Sequence, residues 1–332
     1  MLAYISLFCG PGGLDEGFKQ EGFTAVYAAD IDPVAVETHR MNHPEAQAEV
    51  CDLSRVSGHA LAVKVEARLG GHKLLGVVGG PPCQGFSVMN AGSSADDPRN
   101  RLPFHYARIL KVLNKHFHLD FFVFENVPGL LHARHRPSFD LALHYFSRAG
   151  FNVSWQKLNA LDYGVAQERI RVFVVGVNKD LRFKFQFPAG QGPRRTVRDA
   201  IGSLPPPNKE FHPNHWGLRP KSSKFSLIQP GDDRRKSFKR LAWDRPSPTV
   251  AYGHNEVHIH PEQNRRLTVL EAMLLQGFPL TYVLTGSISA QNRLVSEAVP
   301  PPVAASIAKA LREQLGYDVN YKKGGQLIAA LA

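Results

Sequence analysis

A short apolar run in this chain ends abruptly at two glycines and two prolines, with a cysteine directly after them. Residues 74–78 are apolar apart from one glycine and predict a buried strand, which residues 79–82 stop. Cys83 therefore lies on the loop leaving the strand, and ligands bind at that carboxyl end in open α/β sheets. A lone cysteine is more often a small buried residue. Its position at the strand end, beside the polar Gln84 and Ser87, favours a functional thiol instead.

The start of the chain predicts a nucleotide-binding unit. Apolar residues 2–8 indicate a strand, residues 9–13 a glycine-rich turn, and residues 14–20 a helix. A dinucleotide-binding fingerprint would need a third glycine at position 15, where Asp15 stands, so a nicotinamide dehydrogenase is disfavoured.

An acid follows the second predicted strand, residues 24–29. Asp30 comes twenty positions after Gly10, the spacing that suits a carboxylate bound to ribose hydroxyls. The alternative role for such an acid is to cap the helix that starts at Pro33, and we assign that role to Asp32.

Two further strand ends carry ionisable side chains. Glu125 follows the apolar run 121–124, and burial at that position would raise its pKa, which favours a role in acid–base chemistry. The alternative is that Glu125 caps a helix or forms a salt bridge. Arg169 and Arg171 alternate with an isoleucine before another apolar strand, so they share one strand face. Two exposed surface arginines are the alternative interpretation.

Several segments together resemble the DNA (cytosine-5) methyltransferase family, in the family's order over most of residues 2–315. They are Phe8-x-Gly10-x-Gly12-Gly13 with Gly17, Pro81-Pro82-Cys83-Gln84-Gly85-Phe86-Ser87, Glu125-Asn126-Val127, Gln167-x-Arg169-x-Arg171, Arg245-Pro246-Ser247-Pro248-Thr249-Val250 and Arg265-Arg266-Leu267-Thr268-Val269-Leu270-Glu271-Ala272. The chemistry of that family explains the cysteine. C5 of cytosine is a poor nucleophile, and a thiolate added at C6 activates it.

The resemblance implies a role for each matching residue. Cys83 is the expected nucleophile, Glu125 manages a proton at N3, and Arg171 lies at the cytosine O2. The cofactor implied is S-adenosylmethionine, and the residues expected to contact it are Phe8, Gly10, Gly12, Gly13, Asp30, Ile31, Asp52, Leu53, Pro82 and Leu102. Asp52 would lie near the adenine amino group, although taken alone it could be a turn residue. The residues expected to contact DNA are Gln84, Ser87, Gln167, Arg169 (toward phosphate), Arg234, Arg235 and Arg240.

The chain of 332 residues is long enough for two domains. We predict a doubly wound, Rossmann-like α/β domain from residues 1–180 and 290–332, which holds cofactor and chemistry. Residues 181–289 are rich in proline and arginine, and their apolar residues favour a small, irregular domain over a disordered basic linker. The resemblance implies that this is the target-recognition domain. In the family, the loop at residues 86–101 closes over bound DNA, so we expect a lid there.

Charge and cysteine content narrow the partners. The net charge of +11 suits a polyanion, and we expect double-stranded DNA as the partner of a monomeric enzyme. The sequence leaves open whether a companion restriction endonuclease exists. Three widely spaced cysteines, with no signal peptide or membrane span, predict reduced thiols in a cytoplasm. The scattered histidines predict no metal site.

One departure from the family pattern keeps alternatives open. Ser296 and Glu297 stand where the family usually has Gly-Asn, before the last predicted helix, residues 303–315. This difference leaves two alternatives open: an enzyme that binds its cofactor more weakly, or a DNA-binding homologue that does not catalyse the reaction. Methylation of RNA cytosine is a further alternative, which the basic middle region disfavours. The tail, residues 317–332, suggests only a surface appendage.

Overall fold

Strands and helices alternate along most of the chain. The computed structural model describes residues 1–82, 101–217, 239–249 and 258–317. Its strands are β1 (Leu2–Leu7), β2 (Phe23–Asp30), β3 (Gln47–Val50), β4 (Leu74–Gly79), β5 (Phe121–Asn126), β6 (Phe151–Asn159), β7 (Gln167–Glu168), β8 (Ile170–Asn178), β9 (Lys239–Arg240), β10 (Ser247–Pro248) and β11 (His258–Ile259). Its helices are α1 (Gly13–Gln20), α2 (Pro33–Asn42), α3 (Gly58–Leu69), α4 (Leu102–Phe117), α5 (Arg136–Arg148), α6 (Val197–Ile201), α7 (Val269–Leu275), α8 (Ile288–Glu297) and α9 (Pro301–Gln314).

The main sheet has seven strands in the order β3-β2-β1-β4-β5-β8-β6. Neighbours from β3 through β5 run parallel, and β8 is antiparallel to both β5 and β6. The strand order reverses between β1 and β4, and crevices at such a point bind ligands in open α/β folds. This arrangement confirms the predicted doubly wound α/β class.

Both faces of the sheet are covered by helices. Alternate residues of each strand point to opposite faces, so Phe122 and Phe124 pack toward α3, α4 and α5. Phe121 and Val123 face the other way, into a cluster with α1 and α9. Burial on both sides explains why the central strands read as continuous apolar runs.

The predicted start of α2 is confirmed, and α9 begins before its predicted start at residue 303. The side chain of Asp32 accepts a hydrogen bond of 3.0 Å from the Val34 amide, and Pro33 begins α2 behind that cap. Helix α9 has no side-chain cap and begins at Pro301, after Pro300. Helices α3, α5 and α8 were not predicted from the sequence.

The segment after α7 packs on the main α/β layer. Its Thr285 hydroxyl lies 2.9 Å from that of Thr38, and the Asn42 side chain donates to the Val283 carbonyl at 2.8 Å. These contacts reach α2 from residues that the predicted boundary assigns to the small domain. The short strands pair separately, β7 with β10 and β9 with β11. None of the helices in the described ranges is long and apolar enough to cross a bilayer.

Candidate active site

The loop that leads to Cys83 starts against the end of β5. Strands β4 and β5 are parallel neighbours, with Gly79 opposite Phe124, so their carboxyl ends lie side by side. The Asn126 side chain donates to the Pro81 carbonyl oxygen at 3.1 Å. A Cβ built on Gly80 would lie 2.9 Å from Oε2 of Glu125, so the backbone passes this carboxylate as closely as a glycine allows.

Glu125 is buried beside an arginine from β8. It lies opposite Phe173 in the antiparallel pair, which places Arg171, two residues away, on the same face. The Arg171 Nε atom is 3.2 Å from Oε1 of Glu125. Burial raises the pKa of Glu125, although the guanidiniums of Arg171 and Arg169 act to lower it. The pair therefore combines a carboxyl group biased toward its protonated form with a fixed cation.

Arg169 does not face solvent, which corrects the prediction that it contacts DNA phosphate. It is 1% exposed, and burial lowers its pKa well below the ordinary value. Its Nη2 atom donates to the carbonyl oxygens of Ser296 at 2.7 Å and Ala298 at 2.8 Å. Both carbonyls belong to the end of α8, where a cation satisfies otherwise unpaired acceptors. Arg169 thus holds the α8–α9 join.

Two other residues expected to contact DNA are also buried. Gln167 is 0% exposed, and in the described part of the chain neither atom of its side-chain amide has a hydrogen-bond partner. Arg240 is 5% exposed and donates to the carbonyls of His260 and Gln263 at 2.9 and 3.2 Å. Arg240 therefore braces the small region, which corrects its predicted role. Cys83, Gln84, Ser87, Arg234, Arg235, most of the expected lid and the tail beyond residue 317 lie outside the described residues.

The glycine-rich turn after β1 has a strained backbone. Phe8, Gly10 and Gly12 have φ values of 54°, 54° and 89°, and a positive φ at Phe8 is unusual for a bulky residue. The Gly10 amide donates to Oδ2 of Asp30 at 2.9 Å, which ties this turn to the end of β2. Among the described residues, no atom lies within 4 Å of a Cβ built on Gly10, so this part of the structure leaves that side of the turn open. Gly13, by contrast, is packed against the Val299 carbonyl.

Exposed apolar side chains surround Asp30. Ile31 is 62% exposed, and Val50, at the end of the neighbouring strand β3, is 51% exposed. Asp30 also accepts a hydrogen bond of 2.9 Å from the Asp32 amide, and burial raises its pKa. Val50 was not predicted as a site residue. Its signal is a large apolar residue at the carboxyl end of a strand, next to a predicted ligand.

The remaining predicted cofactor contacts differ in exposure. Asp52 accepts from the Ser54 amide at 3.0 Å and lies 3.3 Å from Nε of Arg55, so it acts as a turn residue. Leu53 is 2% exposed and belongs to the core, so its predicted contact with the cofactor would have to come from its backbone. Pro82 is exposed, and Leu102, the first residue of α4, is half-buried.

Glu297, which stands where the family usually has asparagine, has an ionic partner. Arg293 Nη1 lies 3.2 Å from Glu297 Oε2, and Arg293 Nη2 lies 2.5 Å from Asp32 Oδ2. Burial, together with the carboxylates of Asp30 and Asp32, raises the pKa of Glu297. The charge that replaces the family's amide is thus paired on its own helix. Within the described ranges, no group of three or more His, Cys, Asp or Glu side chains could hold a metal ion.

Comparison with known proteins finds related sequences along almost the whole chain. The family model described as "C-5 cytosine-specific DNA methylase" matches residues 2–313. The type II methyltransferase M.MthTI of Methanothermobacter thermautotrophicus is 32% identical over 345 residues, spanning 95% of this chain and 98% of the relative. M1.HphI of Haemophilus parahaemolyticus, also a type II methyltransferase, is 34% identical and spans 93% and 86% of the two chains.

Solved structures share the fold. A DNA modification methyltransferase encoded within an E. coli prophage superposes with a TM-score of 0.79 at 26% identity, covering 95% of this chain and all of the other. The S. pombe Dnmt2 methyltransferase gives a TM-score of 0.68 at 17% identity, with 96% of this chain and 100% of the other covered. At that identity the second likeness concerns the fold alone.

Proposed function

The chain belongs to the C-5 cytosine-specific DNA methylases, and we propose that it transfers a methyl group from S-adenosylmethionine to C5 of cytosine in duplex DNA. The observation that carries this proposal is the buried pair of Glu125 and Arg171 beside the loop that leads to Cys83. The names of its type II relatives support a role in DNA modification alongside a companion endonuclease.

In the proposed mechanism the Cys83 thiolate adds to C6 of the target cytosine. A bond forms between sulfur and C6, and the electrons of the C5–C6 double bond move into the ring toward C5 and N3. When bound, S-adenosylmethionine would supply an electrophilic methyl group to C5, with cleavage of its sulfur–methyl bond and departure of S-adenosylhomocysteine. Loss of the C5 proton to solvent then restores the double bond and releases Cys83 as a thiolate.

Glu125 is proposed to hold the proton at N3 while negative charge develops there. Its raised pKa supports this role, because burial strengthens the hold of the carboxyl group on a proton that it can share with the ring. Arg171 keeps the carboxyl group in place and presents a cation for the O2 side of the ring. Asn126 supports the same site by fixing the Pro81 carbonyl ahead of the nucleophile.

The residues around the first turn fit the proposed cofactor. In the described part of the chain Gly10 has open space beside it. The Asp30 carboxylate accepts the Gly10 and Asp32 amides, and its two oxygens have about four lone pairs in all to share with ribose hydroxyls. Ile31 and Val50 expose apolar surface that an adenine ring would cover, which accounts for their exposure. We therefore propose that Gly10, Gly12, Asp30, Ile31 and Val50 form the adenosine side of the site.

The target cytosine must leave the duplex stack to reach a buried carboxyl group, at a cost of roughly a few kcal/mol. We propose that the region 181–289 supplies sequence recognition, with Gln84, Ser87, Arg234 and Arg235 as candidate DNA contacts. We also propose a monomeric enzyme. The three widely spaced cysteines support a location in the reducing cytoplasm.

Mapping of methylated cytosines tests this function. The protein is incubated with S-adenosylmethionine and mixed-sequence DNA, and bisulfite sequencing then reports modified positions. We expect cytosine methylation in one sequence context, none with Cys83→Ala, and DNA binding by that variant close to wild type. Equal turnover by Cys83→Ala would refute the role of Cys83 as nucleophile. Methylation of tRNA but not of DNA would show that RNA is the substrate.

A further inference from the structure

The hydroxyl of Tyr282 reaches the glycine-rich turn from a distant part of the chain. Tyr282 follows α7 and is 2% exposed, and its hydroxyl donates to the carbonyl oxygen of Pro11. A Cβ built on Gly12 would lie 2.6 Å from this hydroxyl. The hydroxyl therefore lies directly beneath the turn that is proposed to bind the cofactor.

A buried histidine orients that hydroxyl. The Nε2 atom of His43, at the end of α2, lies 3.1 Å from the Tyr282 oxygen. Burial lowers the pKa of His43 to about 4, so the imidazole is neutral at physiological pH. Because the tyrosine proton is used on Pro11, the pairing assigns the imidazole proton to Nε2, which donates to the tyrosine oxygen.

The histidine is itself part of a buried polar cluster on the main sheet. His39 packs against it with ring centroids 4.8 Å apart, and His39 Nε2 lies 3.3 Å from Asp15. Asp15 is 0% exposed and accepts hydrogen bonds of 2.9 Å from Tyr4 and Ser6 on β1. Polar contacts therefore run from β1 to His39, and the ring of His39 packs against that of His43 beneath the turn.

We propose that Tyr282 is a positioning residue for the cofactor, acting through the Pro11 carbonyl to hold the Gly10–Gly13 turn in its binding conformation. The inference rests on the proposed function. A phenylalanine would fill the same space beside Phe278, so packing alone does not require the hydroxyl. The turn does need support, since Phe8 holds a positive φ at its start.

Replacement of Tyr282 by phenylalanine removes only this oxygen. We expect Tyr282→Phe to raise the Kd for S-adenosylmethionine and for S-adenosylhomocysteine about tenfold in calorimetry, equivalent to about 1.4 kcal/mol. The KM for the cofactor should rise in parallel, while kcat at saturating cofactor stays at the wild-type value, a split that a merely structural role would not produce. Thermal unfolding of the protein without cofactor checks that the variant folds.

Tyr163 offers a matched control. Its hydroxyl also donates to a proline carbonyl, that of Pro188 at 2.9 Å, in a bond that no residue of the turn shares. Tyr163→Phe should therefore leave both Kd values unchanged. Should Tyr282→Phe not fold, His43→Gln and His43→Leu test the same bond, because glutamine keeps a donor and leucine does not. We expect weaker binding from His43→Leu than from His43→Gln.

The outcomes separate the two proposals. Absence of binding by the wild-type protein would overturn the proposed cofactor, and this inference with it. Binding by wild type and Tyr282→Phe with equal Kd, or equal weakening by Tyr163→Phe, would overturn the positioning role alone. Equal Kd values for the two His43 variants would do the same.

Discussion

The guanidinium of Arg169 donates a hydrogen bond of 2.7 Å to the carbonyl oxygen of Ser296, which joins the approach to β8 to the end of α8. Residues 127 positions apart are thereby fixed beside each other. Another carbonyl in the connection between α8 and α9, that of Val299, packs against Gly13 of the proposed cofactor turn. The connection between α8 and α9 thus contacts both Arg169, which precedes β8, and the proposed cofactor site.

Arg169→Lys should destabilise the protein without weakening the binding of the protein to DNA phosphates. A lysine cannot reproduce the two charged hydrogen bonds, so we expect a loss of about 1–3 kcal/mol in urea unfolding. The salt dependence of DNA binding should not change. Arg235→Gln is the contrast, because loss of a phosphate contact lowers the salt slope by about one. Unchanged stability with a lower slope for Arg169→Lys would restore the phosphate role.

Glu125→Gln should lower activity while leaving stability at neutral pH unharmed. Removal of a positioned acid costs about 10²- to 10⁴-fold in kcat. The pKa of Glu125 is raised above its ordinary 4.5, so its stabilising contribution is full below that value and is lost as pH rises through the folded pKa. The variant should therefore match or exceed wild-type stability at pH 8 and lose that advantage near pH 4. Destabilisation that grows with rising pH would contradict this sign.

Gly80→Ala should disturb the catalytic pair without affecting the fold. Its new Cβ would meet Glu125 Oε2 at 2.9 Å, so either the carboxylate or the loop must shift. Displacement of about 1 Å costs on the order of 100-fold in activity. Gly217→Ala is the matched control, since its Cβ would meet Arg265 Cδ at an ordinary 3.5 Å. Equal methylation rates for the two variants would show that the Gly80–Glu125 contact is unimportant.

His258→Leu should stabilise the protein, and more so in acid. His258 is 2% exposed, and within the described ranges its ring nitrogens have no hydrogen-bond partner. Burial lowers its pKa to about 4, so between pH 6.5 and 4 only the unfolded chain takes up this proton. Wild-type stability then falls by up to about 1.4 kcal/mol per pH unit from this group. Urea unfolding at pH 7 and pH 5 should show the gap between variant and wild type widening.

The exposed His59 provides the control for that experiment, because folding does not bury its imidazole. His59→Leu should leave the pH dependence of unfolding as in wild type. A gap between His258→Leu and wild type that stays constant with pH would argue that only packing had changed.

Local chemistry was enough to predict much of the α/β layer. The apolar runs at β1, β4 and β5, the glycines after β1 and the Asp32-Pro33 start of α2 each act over a few residues. The motifs around Glu125 and Arg171 assigned both residues to one site through the resemblance to the family. The sequence by itself therefore determined the fold class and the family.

Only the tertiary structure decided which charged side chains serve the interior. Arg169 and Arg240 look like surface cations along the chain, yet both bind backbone carbonyls from residues at least twenty positions away. Tyr282 and His43 meet across 239 positions to support a turn that neither belongs to. Strand and turn patterns arise from neighbouring residues, whereas the partner of a buried polar group depends on how distant elements pack.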